Sequence, residues 1–366
     1  MKQKAVCISP LDWGLGHATR CIPLIRAFQS LDYKIYIASE GKQEALLKEA
    51  FPNAIFLPLK GYRIWYTRAR ALFTLGMIVQ IPKIIAAIVN EYFWLKQSAK
   101  KYHFDLVVSD NRFGFFHTNI KSVFITHQLE IQTPFKWSTR LSQIISYSFI
   151  KKYAACWVAD MLPPNNLSGV LANPQKLPKT PIWYMNCLSR LNEEQDDKEK
   201  EEIQKNEIYF LGIVSGPEPQ RSIFENILWQ EGNSLHIPFV IIAGLPDQES
   251  YYQSTTNGKL YHHLNGVALK KEINKAEYII CRGGYTTLME LTPFQKKLIL
   301  IPTPGQTEQE YLAKYWQAKN WAICFDQSNF NLKLAIEKAG AFEYKTPPFA
   351  YFNQGELVNE LKRLSL

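Results

Sequence analysis

AEYIICRGGYTTLMELTPFQKKLILIPTPGQTEQEYLA, residues 276–313, is the stretch of the sequence that decides the fold. Its first apolar run predicts a buried strand that ends at residues 282–284, and the apolar spacing after Tyr285 predicts a helix. KKLILIP predicts a second buried strand, which a Pro/Gly loop follows. In a parallel sheet the two loops lie at the same carboxyl edge, where open α/β sheets bind ligands. The stretch therefore predicts an α/β domain with a ligand site at residues 282–310.

Small residues at the first corner suit a phosphate group. Gly283 and Gly284 let the backbone approach a ligand closely, and the first N–H groups of the following helix attract an anion. Glu290, on the next turns of that helix, is able to accept hydrogen bonds from two neighbouring sugar hydroxyls. The alternative is that Glu290 is an acid placed favourably near a helix N-terminus.

The two loops together resemble the nucleotide-sugar motif in the C-terminal domain of GT-B glycosyltransferases, the superfamily of the peptidoglycan GlcNAc transferases and the UDP-glycosyltransferases. In that family a small-residue turn, a Thr/Ser helix start and a Glu hold the UDP. An acid/Gln pair after the next strand holds sugar hydroxyls. The resemblance implies a donor site at these positions: Gly283, Gly284, Thr286, Thr287, Glu290, Glu308 and Gln309.

Composition bounds the class of protein and its partners. A length of 366 residues predicts about two domains, and 46% hydrophobic with 20% charged residues is typical of a globular protein. The six cysteines are scattered and lack zinc spacing, so neither disulfides nor a metal site is expected. The N-terminal residues lack the long apolar region of a signal peptide, which favours a cytoplasmic protein. A net charge of +9 favours an anionic partner, but no Lys/Arg cluster with RNA-binding aromatic residues is present, so nucleic acid is not expected.

The N-terminal sequence repeats the pattern of strand, glycine turn and helix. KAVCISP and KIYIASE predict strands that flank the helix of LDWGLGHATRCIPLIRAF. Gly14 and Gly16 match the first two glycines of a dinucleotide-binding fingerprint, and Glu40 ends the second strand. Thr19 occupies the third glycine position, so a dinucleotide oxidoreductase is only a weak alternative.

His17 lies at the start of this helix, beside the glycine turn. An imidazole at this place is suited to take a proton from a substrate hydroxyl at neutral pH. The alternative is a residue that makes local hydrogen bonds at the helix N-terminus. GLGHATR resembles the first-loop G-x-G-H segment of the GT-B family, in which the His is implicated in deprotonating the acceptor. The resemblance implies that His17 is the catalytic base and that Gly14 and Gly16 lie on the acceptor side.

Two further strands of the N-terminal half end in polar residues. FDLVVSD ends at Asp110, which either orients the imidazole of His17 or caps a turn. The position resembles that of the Asp that orients the catalytic His in plant glucosyltransferases. SVFITHQ ends at His127 and Gln128, in a segment similar to a His-containing stretch of the peptidoglycan GlcNAc transferases. The resemblance places both residues on the acceptor side, with core or loop packing as the alternative.

Residues 60–100 contain long apolar helical stretches with interspersed Arg and Lys residues. Gln80, Pro82 and Lys83 interrupt the apolar run, so it does not form a clean membrane span. The segment either lies on an anionic membrane surface or forms core helices. Membrane contact would suit a lipid-linked acceptor and would place the protein at the inner face of the membrane.

The C-terminal half opens with another strand, small-residue loop and helix, IYFLGIVSGPEPQRSIFENILW. Ser215 and Gly216 would face the donor phosphates, and Arg221 would offset their charge. The alternative is a tight GPEP turn with an exposed Arg221. Residues 189–206 are highly charged and predict a solvated linker.

The sequence predicts two Rossmann-like α/β domains that face a cleft, the GT-B arrangement. They comprise residues 1–188 and 207–366, joined by the linker at 189–206, and the last helix is a candidate to return to the first domain. We expect an inverting, metal-independent hexosyltransferase without a cofactor, which moves a sugar from a UDP-sugar to a hydroxyl of a lipid-linked or cell-envelope glycan. The alternatives are a UDP-GlcNAc 2-epimerase and a non-catalytic nucleotide-sugar-binding subunit.

Overall fold

The computed structural model describes residues 3–65, 73–191, 209–246, 248 and 252–366. The chain divides into two compact units. The first contains the residues up to Ile64, Leu75–Ser189 and Pro348–Leu366, and Arg190–Pro347 form most of the second. Most of the predicted charged linker, residues 192–206, lies outside the described residues.

The first unit is built on a parallel sheet with the strand order β3-β2-β1-β4-β5-β6-β7 in the part of the chain that is described. All residues of β1 and β4 are buried, as expected for central strands of a parallel sheet. The strands are Ala5–Pro10 (β1), Lys34–Ser39 (β2), Ile55–Pro58 (β3), Leu106–Asp110 (β4), Lys121–Thr126 (β5), Ala155–Val158 (β6) and Ile182–Tyr184 (β7).

Helices of the first unit pack on this sheet through their apolar faces. Leu95 and Ala99 of the fourth helix, for example, belong to the core cluster that contains Cys7 and Val107 of the sheet. The helices are Gly16–Ser30 (α1), Gly41–Ala50 (α2), Phe73–Val79 (α3), Ile81–Tyr102 (α4) and Lys136–Ile150 (α5).

The second unit repeats this architecture, with the described strand order β10-β11-β9-β8-β12-β13-β14 and an antiparallel edge strand, β10. The strands are Phe210–Ile213 (β8), Phe239–Ile242 (β9), Tyr252–Ser254 (β10), Gly258–Tyr261 (β11), Tyr278–Cys281 (β12), Lys297–Leu300 (β13) and Ala322–Cys324 (β14). The helices are Gln220–Leu235 (α6), Gly266–Lys275 (α7), Tyr285–Leu291 (α8), Thr307–Ala318 (α9) and Leu332–Ala341 (α10).

The last helix, Gln354–Arg363 (α11), belongs to the first unit. The indole Nε1 of Trp157, in β6, donates a hydrogen bond of 2.9 Å to Glu360 Oε1 of this helix. Both groups are buried, so this bond satisfies polar atoms that would otherwise lack a partner in the interior. The helix is therefore fixed to the sheet of the first unit.

The predicted fold class of two parallel-sheet α/β domains is confirmed. The fold matters for function because it determines which strand ends lie next to each other. In the first unit β1 and β4 are neighbours, with Pro10 opposite Asp110. In the second unit β12 lies between β8 and β13, so the loops that follow these three strands are adjacent at one edge. Among the described residues, no helix is long and apolar enough to cross a membrane.

Candidate active site

The turn between β1 and α1 places His17 at the start of a helix. Gly14 has a φ of +99°, in the left-handed region that favours glycine, and its carbonyl accepts a hydrogen bond from the side chain of Gln43. Gly16 is the first residue of α1, and His17 follows it. The side chain of His17 is 13% exposed, so most of the ring is covered while part of it remains accessible.

The structure brings His17 and Asp110 together, which is one of the two alternatives that the sequence leaves open. Asp110 is the last residue of β4 and is fully buried. Its Oδ1 lies 3.3 Å from His17 Nδ1. Ring orientation by a carboxylate is therefore available to this imidazole.

Arg20, which the sequence analysis did not single out, lies at the centre of the cluster. Its Nε lies 3.1 Å and 2.9 Å from the two carboxylate oxygens of Asp110, and its Nη2 also contacts Oδ1. Its Nη1 lies 2.7 Å from Nδ1 of His127, which is buried at the end of β5. Three charged or titratable side chains, Asp110, His17 and His127, thus surround one buried guanidinium. We call His17, Arg20, Asp110 and His127 the histidine cluster.

The tautomer of His17 decides whether its ring is able to act as a base. Arg20 Nη2 lies 2.9 Å from His17 Nδ1, the same atom that faces Asp110. A guanidinium only donates, so Nδ1 either accepts from Arg20 or carries a proton that it donates to Asp110. Only the second arrangement leaves a lone pair on Nε2. The base therefore requires the tautomer with a proton on Nδ1.

Charge in the histidine cluster favours a neutral imidazole beside an ionised carboxylate. Burial, together with the neighbouring charge of Arg20, lowers the pKa of His17, so its ring is neutral at pH 7. Burial alone would raise the pKa of Asp110, but Arg20 and His17 hold it well below its usual range. This arrangement is suited to accept a proton on His17 and to stabilise the resulting imidazolium.

Gln128 follows His127 and is less tightly fixed through its side chain. Its backbone N–H donates a hydrogen bond of 2.9 Å to the hydroxyl of Thr126. The residue is half-buried, in the loop after β5. Of the two residues predicted on the acceptor side after this strand, His127 joins the histidine cluster and Gln128 shapes the adjacent loop.

In the second unit, Glu290 lies in α8 and is buried. Its Oε1 is 3.2 Å from Nε of Arg190, but neither atom forms a hydrogen bond of good geometry in the described structure. Burial raises the pKa of Glu290, and the charge of Arg190 opposes this effect. Oε1 of the carboxylate predicted to bind a sugar diol therefore faces Arg190 as an ion pair, without a hydrogen bond of good geometry. Arg190 was not predicted, because the sequence gives no sign that a residue 100 positions away contacts Glu290.

The two corner glycines differ in what surrounds them. A Cβ on Gly283 would lie 2.9 Å from the carbonyl oxygen of Gln309, so glycine is needed for the turn to pack against α9. A Cβ on Gly284 would meet no atom within 4 Å. Thr286 and Thr287 follow in the first turn of α8 and are half-buried. Gly284 thus faces open space, whereas Gly283 has a packing role of its own.

Glu308 and Gln309 lie in the first turn of α9 and are half-buried. The side-chain oxygen of Gln309 accepts a hydrogen bond of 2.8 Å from the N–H of Thr303 and thereby holds the loop that precedes the helix. Its backbone N–H donates to the capping side chain of Gln306. Gln309 therefore organises this loop through both its side chain and its backbone.

The loop after β8 carries Ser215, Gly216 and, at the start of α6, Arg221. Gly216 has a φ of +106° and open space around it, and Ser215 is half-buried. Arg221 Nε and Nη1 each donate a hydrogen bond of 2.6 Å, to Glu218 and Glu225 respectively. Because two carboxylates already balance its charge, Arg221 is poorly suited to offset a diphosphate. Its side chain is also buried, unlike the exposed arginine of the alternative interpretation.

Cysteines and metal ligands add no further candidate to the described part of the chain. The six cysteines are free thiols. No group of three or more His, Cys, Asp or Glu residues has a geometry that would hold a metal ion, within the residues described.

Helices α3, α4 and α5 expose apolar side chains in stripes at helical spacing. Core packing accounts only for the opposite face of α4, which contains Leu95 and Ala99. Monomeric proteins rarely leave large contiguous apolar surfaces uncovered. The exposed residues are Leu75, Ile78 and Val79 of α3, Ile81, Ile85, Val89 and Phe93 of α4, and Trp137, Leu141, Ile144 and Ile145 of α5.

Known proteins similar to this chain are glycosyltransferases. The family model of the glycosyltransferase family 28 C-terminal domain matches residues 222–344. A UDP-N-acetylglucosamine--N-acetylmuramyl-(pentapeptide) pyrophosphoryl-undecaprenol N-acetylglucosamine transferase of Rickettsia massiliae (strain Mtu5) is 28% identical over 118 residues, 31% of this chain and 31% of that protein. The match thus spans about a third of the length of this curated relative.

Solved structures resemble nearly the whole chain. Spinosyn rhamnosyltransferase SpnG has a TM-score of 0.65 at 13% identity, with 98% of this chain and 100% of that chain covered. A structure of SpnG complexed with thymidine diphosphate has a TM-score of 0.64 at 12% identity over 98% of this chain and 100% of that chain. Glycosyltransferase SnogD from Streptomyces nogalater has a TM-score of 0.57 at 15% identity, and both chains are fully covered at 100%. The predicted resemblance to GT-B glycosyltransferases is confirmed, and the fold is theirs.

Proposed function

We propose that this protein is an inverting glycosyltransferase that moves a hexosyl group from a nucleoside-diphosphate sugar to an acceptor hydroxyl without a metal ion. The observation that carries the proposal is the pairing of a neutral, partly accessible His17 with an ionised, buried Asp110. The family match over residues 222–344 supports a donor site in the second unit.

In the proposed reaction, Nε2 of His17 takes the proton of the acceptor hydroxyl. The acceptor oxygen forms a bond to the anomeric carbon of the sugar, while the bond from that carbon to the diphosphate oxygen breaks. The nucleoside diphosphate leaves with the bonding electron pair. Asp110 stabilises the imidazolium that forms on His17, and Arg20 keeps Asp110 ionised and in place. A single displacement of this kind inverts the anomeric configuration.

The donor is proposed to bind at the carboxyl edge of β8, β12 and β13. Glu290 would accept hydrogen bonds from the two ribose hydroxyls. These bonds would replace its contact with Arg190, in which Oε1 has no hydrogen bond of good geometry. The small and hydroxylated residues of the corner would contact the diphosphate, with Glu308 and Gln309 on the sugar. The diphosphate contacts are proposed for Ser215, Gly216, Gly283, Gly284, Thr286 and Thr287. UDP is the proposed nucleotide, because the curated relative is named for a UDP-sugar.

A lipid-linked acceptor at the inner face of the membrane fits the surface of the first unit. The apolar stripes of α4 and α5 lie beside exposed basic residues, among them Lys83, Lys96, Lys136 and Arg140. Apolar side chains with flanking cations are the pattern of a surface that lies on anionic lipids. The curated relative is named for an acceptor on pyrophosphoryl-undecaprenol, which supports the same class of acceptor.

Transfer assays test this proposal directly. Wild-type protein and His17→Ala are incubated with labelled UDP- and TDP-sugars and a polyprenyl-diphosphate-linked glycan, and incorporation into the lipid fraction is measured. Loss of a general base predicts a fall in kcat of about 100- to 10,000-fold for His17→Ala, with donor affinity retained. A donor converted to its 2-epimer without any acceptor, or equal turnover by both proteins, contradicts the proposal.

A further inference from the structure

Arg282 is a fully buried arginine at the corner between β12 and α8. It follows Cys281, the last residue of β12, and precedes the two corner glycines. Its Nη1 donates a hydrogen bond of 3.0 Å to the carbonyl of Ile301, and its Nη2 donates one of 2.9 Å to the carbonyl of Gln220. Its Nε has no hydrogen-bond partner among the described residues.

These two carbonyls belong to the loops on either side of the corner. Gln220 is the first residue of α6 and ends the loop from β8, whereas Ile301 begins the loop from β13 to α9. The guanidinium of Arg282 therefore joins the three adjacent loops that carry the proposed donor residues. The centroid of the Phe224 ring lies 4.1 Å from Cζ of Arg282, a distance at which the ring attracts the cation.

The groups around Arg282 differ from those around other buried arginines of the chain. Arg20 contacts Asp110, Arg112 contacts Glu91, and Arg221 contacts two glutamates. In the described structure Arg282 has no carboxylate within ion-pair distance, and its hydrogen bonds go to two carbonyl oxygens. Burial lowers its pKa to about 9, which still leaves it protonated at pH 7. An uncompensated buried cation is unfavourable, so a nearby anion would stabilise it.

We infer that Arg282 is a positioning residue for the donor diphosphate: it fixes the three donor loops relative to one another and supplies a buried positive charge that the diphosphate offsets. This inference rests on the proposed function. Arg282 acts through the loops and through its electric field, because its fully buried side chain lies beneath the corner. The same charge would also stabilise the nucleoside diphosphate as it leaves.

Calorimetric binding of UDP and of uridine to wild type, Arg282→Met and Arg282→Lys tests the inference. We expect Arg282→Met to weaken UDP binding by about tenfold or more while uridine binding changes by less than about twofold, since only UDP carries the charge. Arg282→Lys keeps the charge but loses the two-pronged contact, so a smaller loss of UDP affinity is expected. Lys297→Met is the control, because it removes an exposed cation of the same unit, paired with Glu277, and should leave both affinities unchanged.

TDP and thymidine replace UDP and uridine if the wild type prefers them. Unchanged UDP binding by Arg282→Met overturns the inference, as does an equal loss for UDP and uridine, which would mean a purely structural role. Thermal unfolding shows whether Arg282→Met folds, and Arg282→Lys provides the same UDP-to-uridine comparison if it does not. A wild type that binds neither UDP nor TDP overturns the donor site itself, and with it the proposed function.

Discussion

The histidine cluster of the first unit and the corner between β12 and α8 of the second unit differ in how buried charges are balanced. We call the second region, which is the proposed donor site, the donor corner. In the histidine cluster, Arg20 and Asp110 balance each other through direct hydrogen bonds. At the donor corner, Arg282 has no carboxylate in the described structure, and Glu290 contacts Arg190 without a good hydrogen bond. Fixed, satisfied groups suit proton transfer, which needs a set geometry before the substrate arrives. Unsatisfied groups suit a site that is completed by an anionic, hydroxyl-rich ligand.

Asp110→Asn tests the histidine cluster and should have the largest effect on stability and activity. It removes the negative charge that balances the buried guanidinium of Arg20, so the free energy of unfolding should fall by about 3 to 5 kcal/mol. Transfer activity should fall by at least about 100-fold, because His17 loses the carboxylate that stabilises its protonated form. Chemical denaturation and the transfer assay measure the two effects.

Glu91→Gln is the matched control for this variant. It breaks another buried ion pair of the first unit, in which Glu91 Oε1 lies 2.9 Å from Arg112 Nη1. We expect a loss of stability with kcat retained. A comparable loss of kcat in both variants would mean that activity merely follows stability.

The pH dependence of the free energy of unfolding also tests the role of Asp110. The pKa of Asp110 is depressed in the folded state, so its stabilising effect is present above the pKa of an unfolded aspartate, about 3.9. The effect is lost as the pH falls through the lower folded pKa. Wild type and Asp110→Asn should therefore differ at pH 7 and converge in strongly acidic solution.

The contact between His17 and Asp110 was one of two alternatives that the sequence left open, whereas the position of Arg20 beside them was not predicted. Because β1 and β4 are parallel neighbours in the sheet, the loop after β1 lies beside the end of β4, and this strand order brings the pair together. Arg20 lies three residues after His17 in an amphipathic helix, where an arginine is ordinarily exposed. Its burial follows from the tertiary contact with Asp110, which local pattern does not encode.

Two local sequence patterns in the second unit indicate features that were not predicted. Glu218 and Glu225 lie three residues before and four residues after Arg221, a spacing at which helical side chains pair, so the neutralised charge of Arg221 was readable. Asn257 ends the turn after β10 and Gly258 begins β11; Asn-Gly is a common hairpin signal, yet this hairpin was not predicted. The direction of the Arg282 side chain, by contrast, depends on two carbonyls far away in sequence.

Glu290→Ala tests the donor corner and should have an intermediate effect, on the affinity for UDP. If the carboxylate accepts hydrogen bonds from the ribose, UDP binding should weaken by about 1.5 to 3 kcal/mol, as for a hydrogen bond to a charged group. Calorimetry with UDP measures the loss, and thermal unfolding checks that Arg190 without its partner is tolerated. Glu277→Ala, an exposed acid of the same unit, is the control and should bind UDP as the wild type does. Unchanged affinity in Glu290→Ala would leave Glu290 as a structural acid.

The smallest expected effect extends the comparison to the surfaces of the two units. Most large apolar side chains that are exposed in the described structure belong to the first unit, with stripes on α4 and α5, whereas Val267 and Leu334 of the second unit are separated. If the stripes lie on a membrane, Leu141→Ser with Ile145→Ser should reduce co-sedimentation with anionic vesicles by about five- to tenfold, because two apolar side chains no longer enter the interface. Val267→Ser is the matched control and should sediment as the wild type does. Both residues of the double variant are half exposed or more, so the fold should tolerate the change. Equal sedimentation of all three proteins would assign the stripes to another partner and would remove the structural support for a lipid-linked acceptor.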